Sequence, residues 1–215
     1  MYPHGKDKIE IILDNHEQIA CVDIRWFCYA LRLRSFHYVE LLYSQWKIIN
    51  PLYKEEFNAI INLVNDLVLS NKGELARSLC YHTSVNAMRV SENIYPSRRA
   101  RAMECGYDPK SLYVIYRQYL LLQLLNTDYS FNNWFHPTLS CLIKDAKMGN
   151  YDAVTAIRLT RFIVNDLERL KNDIKSHFPI DEEKNIELIN EIKEIERKII
   201  CDYHGESARA LYRST

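Results

Sequence analysis

The chain has 215 residues but only 5 glycines and 6 prolines, against roughly 26 at average usage, so the frequent tight turns of a many-stranded sandwich, barrel or doubly wound sheet are not provided for. At 47% hydrophobic and 26% charged, the composition is that of a folded globular chain and excludes disorder and collagen-like structure. Lys plus Arg (28) equals Asp plus Glu (28), so no global field draws the chain to polyanions or membrane surfaces, and any such role must come from a local patch.

Apolar residues recur at three and four between the Gly and Pro positions, the helical period. A first helix is predicted over about Asn15 to Leu33, with Ile19, Val22, Trp26, Tyr29 and Leu33 on one side. A second follows Ser35 as N-cap and stops at Asn50-Pro51. A third runs from Pro51 to Asn71, with Lys72-Gly73 as its C-terminal cap. A fourth occupies Glu74 to Asn93. A short helix follows Pro96, capped by Ser97, and ends at Gly106.

Asp108-Pro109 is a helix start: a carboxylate that accepts amides, then a proline where no amide donor is needed. This helix is expected to reach Asn126, and Thr127 to His136 forms the longest irregular stretch. Pro137 opens another helix that ends at Gly149. From Asn150 or Asp152 a long helix carries Ala156, Thr160, Ile163, Leu167, Leu170 and Ile174, a seam that wants a partner helix. After a turn at 176–181, Leu188, Ile192, Ile195 and Ile199 repeat the spacing up to Gly205, which predicts an antiparallel helical hairpin. The expected fold is therefore all-α: an irregular bundle of about nine helices, with a body over 1–149, the hairpin over 150–205 packed on it, and a short tail over 206–215.

Most cofactor chemistries lack their motifs. No Gly-rich phosphate loop and no G-x-S-x-G elbow is present. The 6 cysteines form no C-x-x-C pair, and Cys201 with His204 supplies half a zinc site without a second half. No cofactor or metal is expected. The cysteines read as reduced thiols of a cytoplasmic protein, and the N-terminus lacks the apolar stretch of a signal peptide. The most apolar window, Leu112 to Leu125, is broken by Arg117, Gln118 and Gln123 and is too short to span a bilayer, so no membrane partner is expected.

Four groups of residues carry candidate functions. In the segment 98–117, Ala102, Gly106, Leu112 and Ile115 occupy the crossing, turn and packing positions of a helix-turn-helix. The run from Cys105-Gly106-Tyr107 to Ser111-Leu112-Tyr113 resembles the helix-turn-helix of arabinose-type transcription regulators. The resemblance implies DNA binding, with Lys110, Ser111, Tyr113 and Arg117 facing the major groove and Arg98, Arg99 and Arg101 meeting phosphates. It departs from the pattern at Tyr119-Leu120-Leu121-Leu122, which is more apolar than a recognition helix.

Arg77 followed by His82 resembles the R-x(4–6)-H motif of HEPN-type helical ribonucleases. That resemblance implies a His general acid or base and an Arg that stabilises a phosphorane. The spacing recurs at Arg32 and His37, so it discriminates weakly. Tyr129, Phe131, Trp134 and Phe135 gather aromatics in the long loop, a composition favoured in protein interfaces. Ile186 and Ile189 lie off the last helical seam and are expected to meet the body or a second subunit.

The function expected from these residues is a non-catalytic protein-interaction or regulatory module of the cytoplasm, with another protein or a second copy of itself as partner. A DNA-binding regulator using 98–117 and a HEPN-like ribonuclease using Arg77 and His82 are the alternatives.

Overall fold

The computed structural model describes residues 8–12, 18–42, 49–92, 96–127 and 137–204. Among them the chain is all-α apart from one two-stranded ribbon. It forms two compact units, Met1–Ser70 with Asp181–Thr215, and Asn71–Ile180. The division falls after Ser70 and after Ile180.

The first unit begins with β1 (Lys8–Ile12) and β2 (Gln18–Val22), antiparallel with Ile9 opposite Cys21 and Ile11 opposite Ile19. This corrects the expected helix from Asn15. Ile9, Ile11, Ile19 and Val22 are β-branched residues suited to a ribbon, and helix α1 (Ile24–Arg32) starts only where Asp23 accepts from the Arg25 amide at 2.8 Å. Helix α2 (Phe36–Leu42) follows; the rest of the second predicted helix, 43–48, lies outside the described residues.

A Schellman pair joins α1 to α2. The Ser35 amide donates to the Ala30 carbonyl at 2.9 Å and the Arg34 amide to that of Leu31 at 2.8 Å, with Arg34 in the left-handed position usually held by glycine (φ 50°). The Arg34 side chain explains why glycine is absent. It is buried and donates to the carbonyls of Leu67 (2.9 Å) and Arg32 (3.1 Å) and to Asn185. It thereby ties the α1–α2 corner to α3 (Lys54–Ser70) and α9 (Glu182–His204).

Helix α9 packs on α3 and α1. Leu188, Ile192, Ile199 and Ile200 are buried there with Ile60, Val64, Leu67, Val68, Leu31 and Phe27. Fully burying one such aliphatic side chain contributes about 1.5–3 kcal/mol. Within this core Arg32 and Glu196 form a buried ion pair at 2.5 Å.

The second unit is built on α4 (Lys72–Glu92), α5 (Arg99–Cys105), α6 (Pro109–Leu125), α7 (Pro137–Met148) and α8 (Ala153–His177). Gly73 belongs to the first turn of α4 and does not cap α3, as the spacing had suggested. Asn71 accepts from the Glu74 amide at 3.2 Å as the cap of α4. A side chain at 73 would meet Lys175 Cγ at 3.1 Å, so glycine there admits α8.

Helices α4 and α8 run antiparallel, since Gly73 lies against Lys175 and the Cys80 thiol donates to the Leu167 carbonyl at 3.6 Å. Helix α6 packs on α4, α7 and α8. The α8 seam residues Ala156, Ile163, Leu167, Leu170 and Ile174 are all buried. Both helices of the expected hairpin are thus present.

Candidate functional site

The helix-turn-helix segment folds as α5, a glycine turn and α6. Gly106 is left-handed (φ 74°), and a Cβ there would come within 2.9 Å of Ala153 Cβ. Asp108 caps α6 from a buried position: it accepts from the Lys110 amide at 3.0 Å and the Ser111 hydroxyl at 2.9 Å, and forms an ion pair with Arg98 at 2.7 Å.

One residue expected to face the major groove and one expected to meet phosphate therefore serve the cap. Ser111 is buried, not directed at a groove, and Arg98 meets a carboxylate. Lys110, Tyr113 and Arg117 do share a face of α6, as their spacing requires. Lys110 is exposed, but Tyr113 is half-buried with the Lys147 ammonium of α7 5.5 Å from its ring centroid. Arg117 is half-buried too, and desolvation lowers its pKa.

Buried residues cover about half the circumference of α6, among them Ser111, Leu112, Ile115, Gln118, Tyr119, Leu121, Leu122 and Leu125. Of the three phosphate candidates, Arg99 and Arg101 are exposed. Arg101 is paired with Glu104 at 2.7 Å and donates to the Met148 carbonyl at 2.9 Å, closing the C-terminus of α7.

Arg77 and His82 lie on α4, where five residues separate them by about 140° around the axis. The exposed Arg77 guanidinium is held by Glu74 at 2.6 Å. His82 is half-buried, edge-on to the Tyr81 ring, and desolvation lowers its pKa toward the neutral imidazole. Tyr129, Phe131, Trp134 and Phe135 lie outside the described residues. Ile186 is exposed on α9 and Ile189 is half-buried. Among the described residues no group of three or more His, Cys, Asp or Glu could hold a metal ion. No described helix is long and apolar enough to cross a membrane.

A further surface, not singled out from the sequence, lies on the outward side of α8, opposite its seam. Val154, Arg158, Arg161 and Phe162 fall on it at spacings of four, three and one. Val154 is 58% exposed and Phe162 57%. Phe162 is steadied by an edge-on contact with Tyr119 (centroids 6.0 Å apart), whose hydroxyl donates to Asp166 at 2.9 Å.

Arg158 and Arg161 are exposed, and neither makes an ion pair or hydrogen bond among the described residues. Farther along the same helix, Arg169 bridges Asp166 and Asp173, and Lys171 bridges Glu168. The difference was present in the sequence: no carboxylate stands three or four residues from Arg158 or Arg161, the spacings at which helical ion pairs form.

The chain matches no protein-family model, no curated protein and no solved structure.

Proposed function

We propose that the chain is a non-catalytic protein-interaction module and that the outward side of α8 is its binding face. The observation that carries this reading is the pair of arginines without ion-pair partners among the described residues, Arg158 and Arg161, set beside the exposed Phe162 and Val154. Arg and aromatic residues are enriched among the side chains that dominate protein interfaces. An aromatic already seated on Tyr119 loses little side-chain freedom on binding.

The chemistry suits an acidic amphipathic helix, with carboxylates for the two guanidinium groups and an apolar residue for Phe162. The protein reading is favoured over the DNA alternative because Arg98 and Ser111 are committed to Asp108. It is favoured over the ribonuclease alternative because Arg77 is committed to Glu74, well around the helix from His82.

Panning a displayed peptide library against the intact chain tests the reading, with Arg158→Glu/Arg161→Glu as the counter-selection. Enriched peptides are expected to carry Asp or Glu at helical spacing beside an apolar anchor. A library that yields nothing the variant fails to bind contradicts the assignment.

A further inference from the structure

On the outward side of α9, Glu183, Glu187 and Glu191 follow one another at steps of four, next to Ile186, which is 57% exposed. None of the three carboxylates makes an ion pair or hydrogen bond among the described residues. Like charges four apart on a helix are mutually destabilising by a few tenths of a kcal/mol, so the stripe carries a repulsion that a basic surface would relieve. The α8 face has the opposite sign and the same kind of repulsion between Arg158 and Arg161.

Resting on the reading of α8 as a protein-binding face, we propose that its occupant is a second copy of this chain, which presents the outward side of its α9. Laid antiparallel, the two helices have a register that sets both arginines against glutamates while Phe162 meets Ile186. Phe162 faces Ile186, Arg161 faces Glu187, Arg158 faces Glu191, and Asn165 falls beside Glu183.

The spans agree. Three residues between the arginines are about 4.5 Å of helix and four between the glutamates about 6 Å, a mismatch that two long side chains absorb. Parallel packing with Phe162 on Ile186 sets Arg161 against Asn185, which is held by Arg34, and leaves Glu187 and Glu191 without arginines. Pairing α8 with α8 opposes arginines, and pairing α9 with α9 opposes glutamates. The contact therefore joins unlike surfaces, the α8 of one copy and the α9 of another.

Sedimentation equilibrium of the intact chain and of two charge-reversed variants tests the proposal. The wild-type chain is expected to dimerise with a constant that weakens as salt rises. Arg158→Glu/Arg161→Glu alone and Glu187→Arg/Glu191→Arg alone should each weaken association about tenfold or more, equivalent to roughly 1.4 kcal/mol. Mixing the two variants should restore dimers, because the acidic α8 of one then meets the basic α9 of the other. All substituted residues are exposed, and circular dichroism verifies that each variant keeps its helix content.

A wild-type chain that stays monomeric throughout the micromolar range overturns the second-copy assignment. So does a dimer indifferent to either reversal, or a mixture that remains monomeric. If acidic peptides are selected by the α8 face all the same, the binding-face reading stands with a different occupant. If neither self-association nor peptide binding occurs, both fall.

Discussion

Arg98 and Asp108 meet at 2.7 Å, with the carboxylate almost wholly withdrawn from solvent. That contact turns an arginine expected to meet phosphate into a support for the first turn of α6. Asp108 also holds the Lys110 amide and the Ser111 hydroxyl. Asp108→Ala is expected to remove a helix cap and strand two partners, at a cost of about 2–3 kcal/mol. Chemical denaturation measures it; a change below about 0.5 kcal/mol contradicts the role.

Arg34 offers a test in which two opposed effects have different signs. Its left-handed backbone costs a non-glycine residue about 1 kcal/mol, while its buried guanidinium joins the α1–α2 corner to Leu67 and Asn185. Arg34→Ala keeps the strain and loses the hydrogen bonds. Arg34→Gly loses both. Both variants should be less stable than wild type, with the alanine variant lower by about 1 kcal/mol. A glycine variant more stable than wild type would show that the side chain contributes less than the left-handed backbone costs.

Alkaline pH probes the contact beneath Phe162. Desolvation, followed by the neighbouring Asp166 carboxylate, pushes the Tyr119 phenol up to about 12 from an ordinary value near 10. A group raised in this way contributes stability that is complete below the ordinary value and is lost as pH rises through the folded one. Tyr107 and Tyr151 are raised by burial as well, so the informative quantity is the difference between wild type and Tyr119→Phe. The wild type should be more stable by about 1 kcal/mol at neutral pH, and the gap should close as pH approaches 12. A gap that does not change with pH contradicts the contact.

Much of the fold was legible because its signals are local. The Asp108-Pro109 start, the left-handed glycines 106 and 149, and the α8 seam each depend on chemistry within a few residues. The partners of those seams were not legible. A repeat of apolar residues gives the period of a buried face but not the helix that covers it, so the packing of α4 on α8 and of α3 on α9 carries no local mark. The ribbon at 8–22 was missed because alternation over five residues is too short to outweigh a helical spacing that continues into α1. Gly73 was misread because its requirement comes from Lys175, about a hundred positions away.

The candidate site was legible in a different way. Motif spacing draws attention to 98–117 and to Arg77 with His82, and of these residues the fold commits Arg98 to Asp108, Arg101 to Glu104 and Arg77 to Glu74. The α8 face carries no motif. Its mark is the lack of carboxylates around Arg158 and Arg161, whereas Arg169 has Asp166 and Asp173 within one turn.

If the α8 face is a surface for contact and not for folding, its charges contribute little to stability. Arg158→Glu/Arg161→Glu is expected to unfold within about 0.5 kcal/mol of wild type, as exposed substitutions outside internal networks do. Thermal or urea denaturation at concentrations where both chains are monomeric gives the comparison. A loss of several kcal/mol would place these arginines in a structural network.

The most direct test of the central claim is retention of an acidic amphipathic helical peptide by the intact chain at physiological salt, with excess duplex DNA as competitor. The account predicts retention that survives the DNA and is lost in Arg158→Glu/Arg161→Glu. Peptide displaced by DNA, or held equally by the variant, would contradict a protein-binding face on α8.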